Sequence, residues 1–190
     1  MLEAGIVIDA TGDADVAATA GAACQLGRPG DHLTQPASLM FRVSGIDVDK
    51  IRAHAHAHPE EFRLGSRGPQ GYDTEQLLAV CGFQDAIRQA REQGELHLER
   101  DAVLLFSTNW PDQATVNMSR VTRINPVDPW DLSRAEIEAR EQVFEIIAFL
   151  RRHIPGMQKI RLMDTGAHIG LRESRRIVGE YVLTGDDCVS

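Results

Sequence analysis

Hydrophobic and polar positions switch between a period of two and a period near 3.6 along this chain, and each switch marks an element. Residues 5–10 (GIVIDA) are a short apolar, β-branched run, the pattern of a strand buried on both faces of a parallel sheet. The run breaks at Thr11-Gly12-Asp13, and the alanine-rich residues 14–20 predict a helix, giving a strand–turn–helix unit. Residues 39–43 (LMFRV) read as a strand, residues 48–58 as a short helix ended by Pro59, and the glycine-rich residues 63–72 as a loop. Residues 74–92 carry Leu77, Val80 or Cys81, Ile87 and Ala90 at helical spacing and stop at Gly94, which predicts one helix.

Residues 103–106 and 115–121 predict two strands paired as a hairpin around Pro111-Asp112. In such a strand Asn117 and Arg120, an odd number apart, face opposite ways. Ser133 with Glu136 has the spacing of a capping box ahead of a long helix. Val143, Phe144, Ile147, Leu150 and Ile154 share a face of it, and Pro155-Gly156 ends it. Residues 160–163 and 177–183 predict strands, and Thr184 with Asp187 resembles the capped start of another helix. A buried-type strand at residue 5 has no earlier strand to lie against, and the last helix has few residues left. The ends therefore read as cut; the alternative is a small α+β domain whose terminal strands pair with each other.

Composition narrows the class. The 190 residues are 43% apolar, 25% charged and 5% aromatic, which fits a soluble globular chain able to build a core without disulfides. Cys24, Cys81 and Cys188 are far apart with no CxxC, so a reducing compartment is expected and neither a disulfide framework nor a zinc knuckle is. A net charge of -8 argues against nucleic acid as a partner. No apolar run approaches the roughly 20 residues of a membrane span, and the first residues lack a signal-peptide pattern, so a cytoplasmic chain without a membrane partner is expected. Lys50 and Lys159 are the only lysines, a skew that fits a GC-rich bacterial genome.

Two segments carry candidate chemistry. Ala10, Thr11, Gly12 and Asp13 stand at a strand end, where open α/β sheets bind ligands, and the glycine lets backbone approach a dinucleotide. The sequence has no GxGxxG and no GxxxxGK, so on spacing alone a structural turn fits as well. Residues 166–176 (GAHIGLRESRR) gather Arg172, Arg175 and Arg176 with Glu173, Ser174 and His168. Guanidinium forks there could bind a carboxylate or stabilise charge on a reduced cofactor, or Glu173 could simply neutralise its neighbours. His54 and His58 lie one helical turn apart, but no carboxylate or cysteine pattern completes a tetrahedral set, so no metal is expected. Asp9, Asp13 and Asp15 lack the lysine and paired acid of magnesium-dependent phosphoryl transfer.

Taken in order, IDATGDADVAATAGA, QPASLMFRVSGID, VNMSRVTRINPVDPWDLSRAEIEAR and HIGLRESRRIVGEYVLT resemble the FAD-dependent oxidoreductases related loosely to the fumarate reductase flavoproteins. The resemblance implies an α/β protein in which an α+β substrate domain is inserted in a discontinuous FAD-binding domain. Residues 1–21 would end the first FAD-binding half, 22–163 would form the substrate domain, and 164–190 would return to the cofactor domain. The chain would then be an internal fragment whose partners are the missing N- and C-terminal segments of the same protein. It implies FAD as cofactor, a small-molecule substrate and hydride exchange with flavin. Ala10, Thr11, Gly12, Asp13, Glu173 and Ser174 match cofactor-side positions. Arg172 and Arg175 are the expected catalytic pair, with Arg176 structural and held by Glu173. The rival reading is a non-catalytic binding or interaction domain with two structural turns.

Overall fold

Alternation of apolar and polar side chains builds the central sheet. In β2 (Phe41–Ser44) Phe41 and Val43 are buried and Arg42 is exposed, so one face meets the core and the other meets water. The computed structural model describes residues 3–62, 72–73 (backbone only) and 78–189. It contains α1 (Asp15–Thr19), β1 (Cys24–Leu26), β2, α2 (Val48–Ala57), β3 (Tyr72–Asp73), β4 (Leu78–Gly82) and α3 (Gln84–Glu92). These are followed by β5 (Val103–Ser107), β6 (Gln113–Val116), α4 (Pro129–His153), β7 (Arg161–Thr165) and β8 (Arg175–Ile177).

Six strands form one sheet in the order β3-β4-β5-β6-β2-β7, and β1 pairs with β8 in a second sheet. All these ladders are antiparallel, so the mixture of helix and sheet is of the α+β kind. Val80, Leu105, Val116 and Phe41 are direct partners from strand to strand and make a buried row across the sheet. On the opposite face Arg42 pairs across the strands with Asp164, its Nε 2.9 Å from Oδ1. Ile51 and Ala55 of α2, Ile87 and Ala90 of α3, and seven residues of α4 join the same core. Among the described residues no helix is long and apolar enough to cross a membrane.

The expected hairpin is present as β5 and β6, but its second strand is Gln113–Val116 rather than 115–121. Other expectations need correction. Residues 5–10 are irregular and in water rather than a buried strand, with Ile6 and Ile8 each 86% exposed. No described strand donates to them, and a β-branched run without partners has no ladder to join. Helix was expected throughout 74–92, but Leu78–Gly82 is a strand, and residues 74–77 lie outside those described, as does nearly all of the expected loop. Leu78, Ala79 and Val80 are all buried, which is a two-sided strand pattern, and Phe83 at φ 62° turns the chain into α3.

The long helix starts earlier than the Ser133–Glu136 box. Asp128 caps it, accepting from the Trp130 and Asp131 amides at 2.8 and 3.3 Å, with Pro129 in the first turn. Ala135, Ala139, Val143, Ile146 and Leu150 set its buried stripe, which leaves Phe144 67% exposed rather than on the core face. The strand expected over 177–183 stops at Ile177 because β1 is three residues long, and Val178 adds one last bond to the Ala23 carbonyl at 2.8 Å. Thr184 and Asp187 do exchange capping-type hydrogen bonds, here around the 3-10 turn Asp186–Cys188.

Candidate functional site

Asp9 organises the first turn. Its carboxylate accepts from the Thr11 amide at 2.9 Å, the Thr11 hydroxyl at 2.7 Å and the Ala17 amide at 2.8 Å. These bonds hold its pKa below the ordinary aspartate value, the Thr11 hydroxyl contributing most. The Thr11 hydroxyl accepts in turn from the Asp15 amide at 2.8 Å. Ala10, Thr11 and Gly12 are exposed, and a Cβ built on Gly12 meets nothing within 4 Å. The Gly12 and Asp13 amides donate to no described group.

The two candidate segments meet. Arg175 Nε donates to the Asp13 carbonyl at 2.9 Å, and its Nη2 pairs with Asp15 Oδ1 at 2.5 Å. The Ser174 hydroxyl donates to the Gly12 carbonyl at 3.4 Å. The β1–β8 ladder anchors this junction from the other side, in register Cys24 with Ile177 and Leu26 with Arg175. Glu173 accepts from the Gln35 amide at 3.0 Å and pairs with Arg176 Nη1 at 2.9 Å, so Arg176 is held by Glu173 as expected. Arg172 goes elsewhere: its Nη2 reaches the Ser38 hydroxyl at 3.4 Å, at the bridge where Ser38 and Gly170 exchange backbone bonds. Arg172 and Arg175 thus serve different places, Arg175 the ATGD turn and Arg172 the sheet edge.

Near that edge, two further arginines went unassigned from sequence. Arg100 donates from Nη2 to the Asn117 carbonyl at 3.2 Å, and Arg120 is fixed through its backbone, its amide and carbonyl bonding the Gln142 side chain at 2.8 and 2.9 Å. Burial, together with nearby Arg120 and Arg172, lowers the pKa of Arg100. The Nε atoms of Arg100 and Arg120 and the Oδ1 of Asn117 are buried without a hydrogen-bond partner among the described residues. Asn117 and Arg120 do not alternate as strand residues would, because β6 ends at Val116. Beyond it the backbone bends so that the buried Ser119 hydroxyl takes both groups of Leu39, accepting from its amide at 2.6 Å and donating to its carbonyl at 2.9 Å. Only the arginine-rich composition could have hinted at this cluster.

Arg100 and Arg120 line a recess of about 300 Å³ with Cys81, Glu99 and Asp101. A larger recess of about 620 Å³ lies beside α2, where Asp47 and Asp49 are already paired with Lys50 and Arg52. At the end of α2, His54 stacks on Phe83 with ring centroids 5.4 Å apart. Its Nε2 lies 3.7 Å from Glu61 Oε2, and His58 Nδ1 lies 3.5 Å from Glu60 Oε1, both too long for hydrogen bonds. The carboxylates that the spacing of the histidines did not reveal are therefore adjacent to them.

Residues 1–190 match the family model described as FAD dependent oxidoreductase. No curated protein and no solved structure matches. A match that spans the chain embraces both the ATGD turn and the arginine segment that Arg175 ties to it, and this protein belongs to the FAD dependent oxidoreductase family.

Proposed function

We propose that this chain works in hydride exchange between a small molecule and FAD, with residues 1–21 and 164–190 on the cofactor side and residues 22–163 facing substrate. The observation that carries the reading is the joining of ATGD to RESRR, through Arg175 and Ser174, by bonds between residues 162 apart in sequence. Such a junction is more than a solvated charge run, because it fixes one turn against another at backbone level. The open face of Gly12 and the undonated amides beside it fit a cofactor surface lying against the turn. When bound, FAD would supply the hydride-accepting and hydride-donating chemistry.

The chain's own part is positional and electrostatic. Asp9 and Thr11 hold the turn, Ala10, Thr11, Gly12 and Asp13 present it, and Glu173 and Ser174 brace the segment behind it. Arg175 keeps the turn in place through a forked contact that a lysine cannot reproduce. Arg172, free of a carboxylate among the described residues, is the arginine available to an anionic group.

The test is flavin binding and turnover by the purified full-length protein. FAD fluorescence should be quenched to a stoichiometric end point, and Arg172→Lys and Arg175→Lys should each lower turnover at least about tenfold, roughly 1.4 kcal/mol of barrier. Absence of flavin uptake would favour a non-catalytic binding domain. Full half-reaction rates in both variants would make the segment a structural turn.

A further inference from the structure

Arginine side chains on this surface are as a rule neutralised: Arg28, Arg42, Arg88, Arg91, Arg134, Arg140, Arg152, Arg175 and Arg176 each have a carboxylate partner. Arg100, Arg120 and Arg172 have none among the described residues, a state shared by Arg123, Arg151 and Arg161, but here Arg120 and Arg172 lie close enough to act electrostatically on Arg100. Placing like charges together and burying two of their Nε–H groups without acceptors is unfavourable on both counts. The Arg120 guanidinium makes no hydrogen bond among the described residues, so both donors of its side-on fork are unused. The nearby acids are turned elsewhere: Asp101 pairs with Arg91 at 3.3 Å, Glu99 is exposed, and Glu138 and Glu145, which share a neighbouring recess with Arg120, accept from Gln142 Nε2 at 3.2 Å and from the His97 amide at 2.6 Å.

We propose that the recess lined by Arg100 and Arg120, with Arg172 at the adjoining sheet edge, is an oxyanion-binding site that takes the carboxylate or phosphate group of a small-molecule ligand. The geometry required is modest. Arg100 is braced by the Asn117 carbonyl, Arg120 is braced through Gln142, and Arg172 leans on Ser38, so three cationic forks are held on three separate pieces of backbone. A bound oxyanion pairs with the guanidinium groups of Arg100 and Arg120 that line the recess and offsets the like charge acting on Arg100 in one step. At about 300 Å³ the recess has room for an acid group and a few further heavy atoms, which suits a small metabolite and not a polymer. The site deepens the reading of the chain as the substrate side of a flavoenzyme, yet its binding chemistry needs no flavin.

The experiment is a titration of the full-length protein with sodium malonate and, separately, inorganic phosphate, at an ionic strength kept constant with sodium chloride. Heteronuclear NMR reads the arginine Nε–Hε signals and calorimetry reads affinity. Saturable binding is expected, with shifts of the Arg100 and Arg120 Nε–Hε resonances; the tighter of the two anions identifies the acid group. Arg120→Gln should weaken binding at least tenfold, Arg120→Lys should fall between, and Glu99→Gln should tighten it. Circular dichroism on each variant establishes that it is folded, and the wild-type resonance shifts stand even if Arg120→Gln does not fold. Response no greater than that to chloride, or unchanged affinity in folded Arg120→Gln, overturns the proposal. Flavin quenching measured alongside separates the two readings, since a protein that binds the anion but no flavin loses the redox assignment and keeps this site.

Discussion

Asp9 concentrates more local structure than any neighbour of similar size. Three donors converge on one carboxylate, and two of them are the Thr11 amide, inside the ATGD turn, and the Ala17 amide, in the helix that follows it. Because the folded pKa is depressed, the charged form stabilises the fold at pH above the unfolded aspartate value of about 3.9, and that contribution disappears as pH falls through the lower folded value. Thermal melts of wild type and Asp9→Asn should therefore differ most at neutral pH, with the wild type more stable, and converge in strong acid. Parallel curves across the whole range would mean that the carboxylate does not hold the turn. Arg175 shows the same economy, one guanidinium serving a carbonyl and a carboxylate on the far side of the turn. None of this was readable from the residues themselves, because which acid an arginine finds across 160 positions depends on topology.

Secondary structure depends on where an element finds its partner groups, and α4 illustrates how a sequence signal can be displaced. Ser133 and Glu136 have capping spacing, but Asp128 precedes Pro129 and already satisfies the first free amides. Glu136 is thereby released to accept from the Ile169 amide at 2.7 Å, clipping the helix to the segment that leads into Arg172. Asp128→Ala should lower stability by about 1 kcal/mol, whereas Ser133→Ala, which removes no cap, should change it by less than about 0.5 kcal/mol; chemical denaturation of both variants decides. The reverse result would restore the later start. Long periodic stretches such as α4 and the β5–β6 hairpin were legible because their apolar pattern is paid out locally. The run at residues 74–92 was misread because strand and helix both tolerate buried Leu78, Ala79 and Val80, and pairing with β5 decides between them. The ATGD and RESRR motifs were legible as motifs, while Arg100 and Arg120 stand in ordinary sequence and acquire meaning only when the fold brings them to one recess.

At the scale of the whole molecule, two kinds of pairing coexist. The central sheet is largely made by neighbours in sequence, β3 to β4 to β5 to β6, and its row of Val80, Leu105, Val116 and Phe41 is sealed from water. The β1–β8 ribbon is three residues long, mostly outside the core, and closes a loop from Cys24 to Ile177. Closing so long a loop for so few bonds gives little net free energy, so the ribbon opens without the sheet. Hydrogen exchange should show it: amides of residues 24–26 and 175–178 exchanging by local opening, and those of β5 and β6 only through global unfolding. Equal protection of the two sets would contradict this order.

The β1–β8 closure has a kinetic consequence for assembly. A contact between distant positions is made late in folding, after the local hairpins have formed. The junction that Arg175 makes with the ATGD turn depends on that closure, so it forms last and is lost first. A chain in this state has a finished core and an unmade junction, and a ligand bound across that junction would act as the clasp, shifting the balance towards the closed form by its own binding free energy.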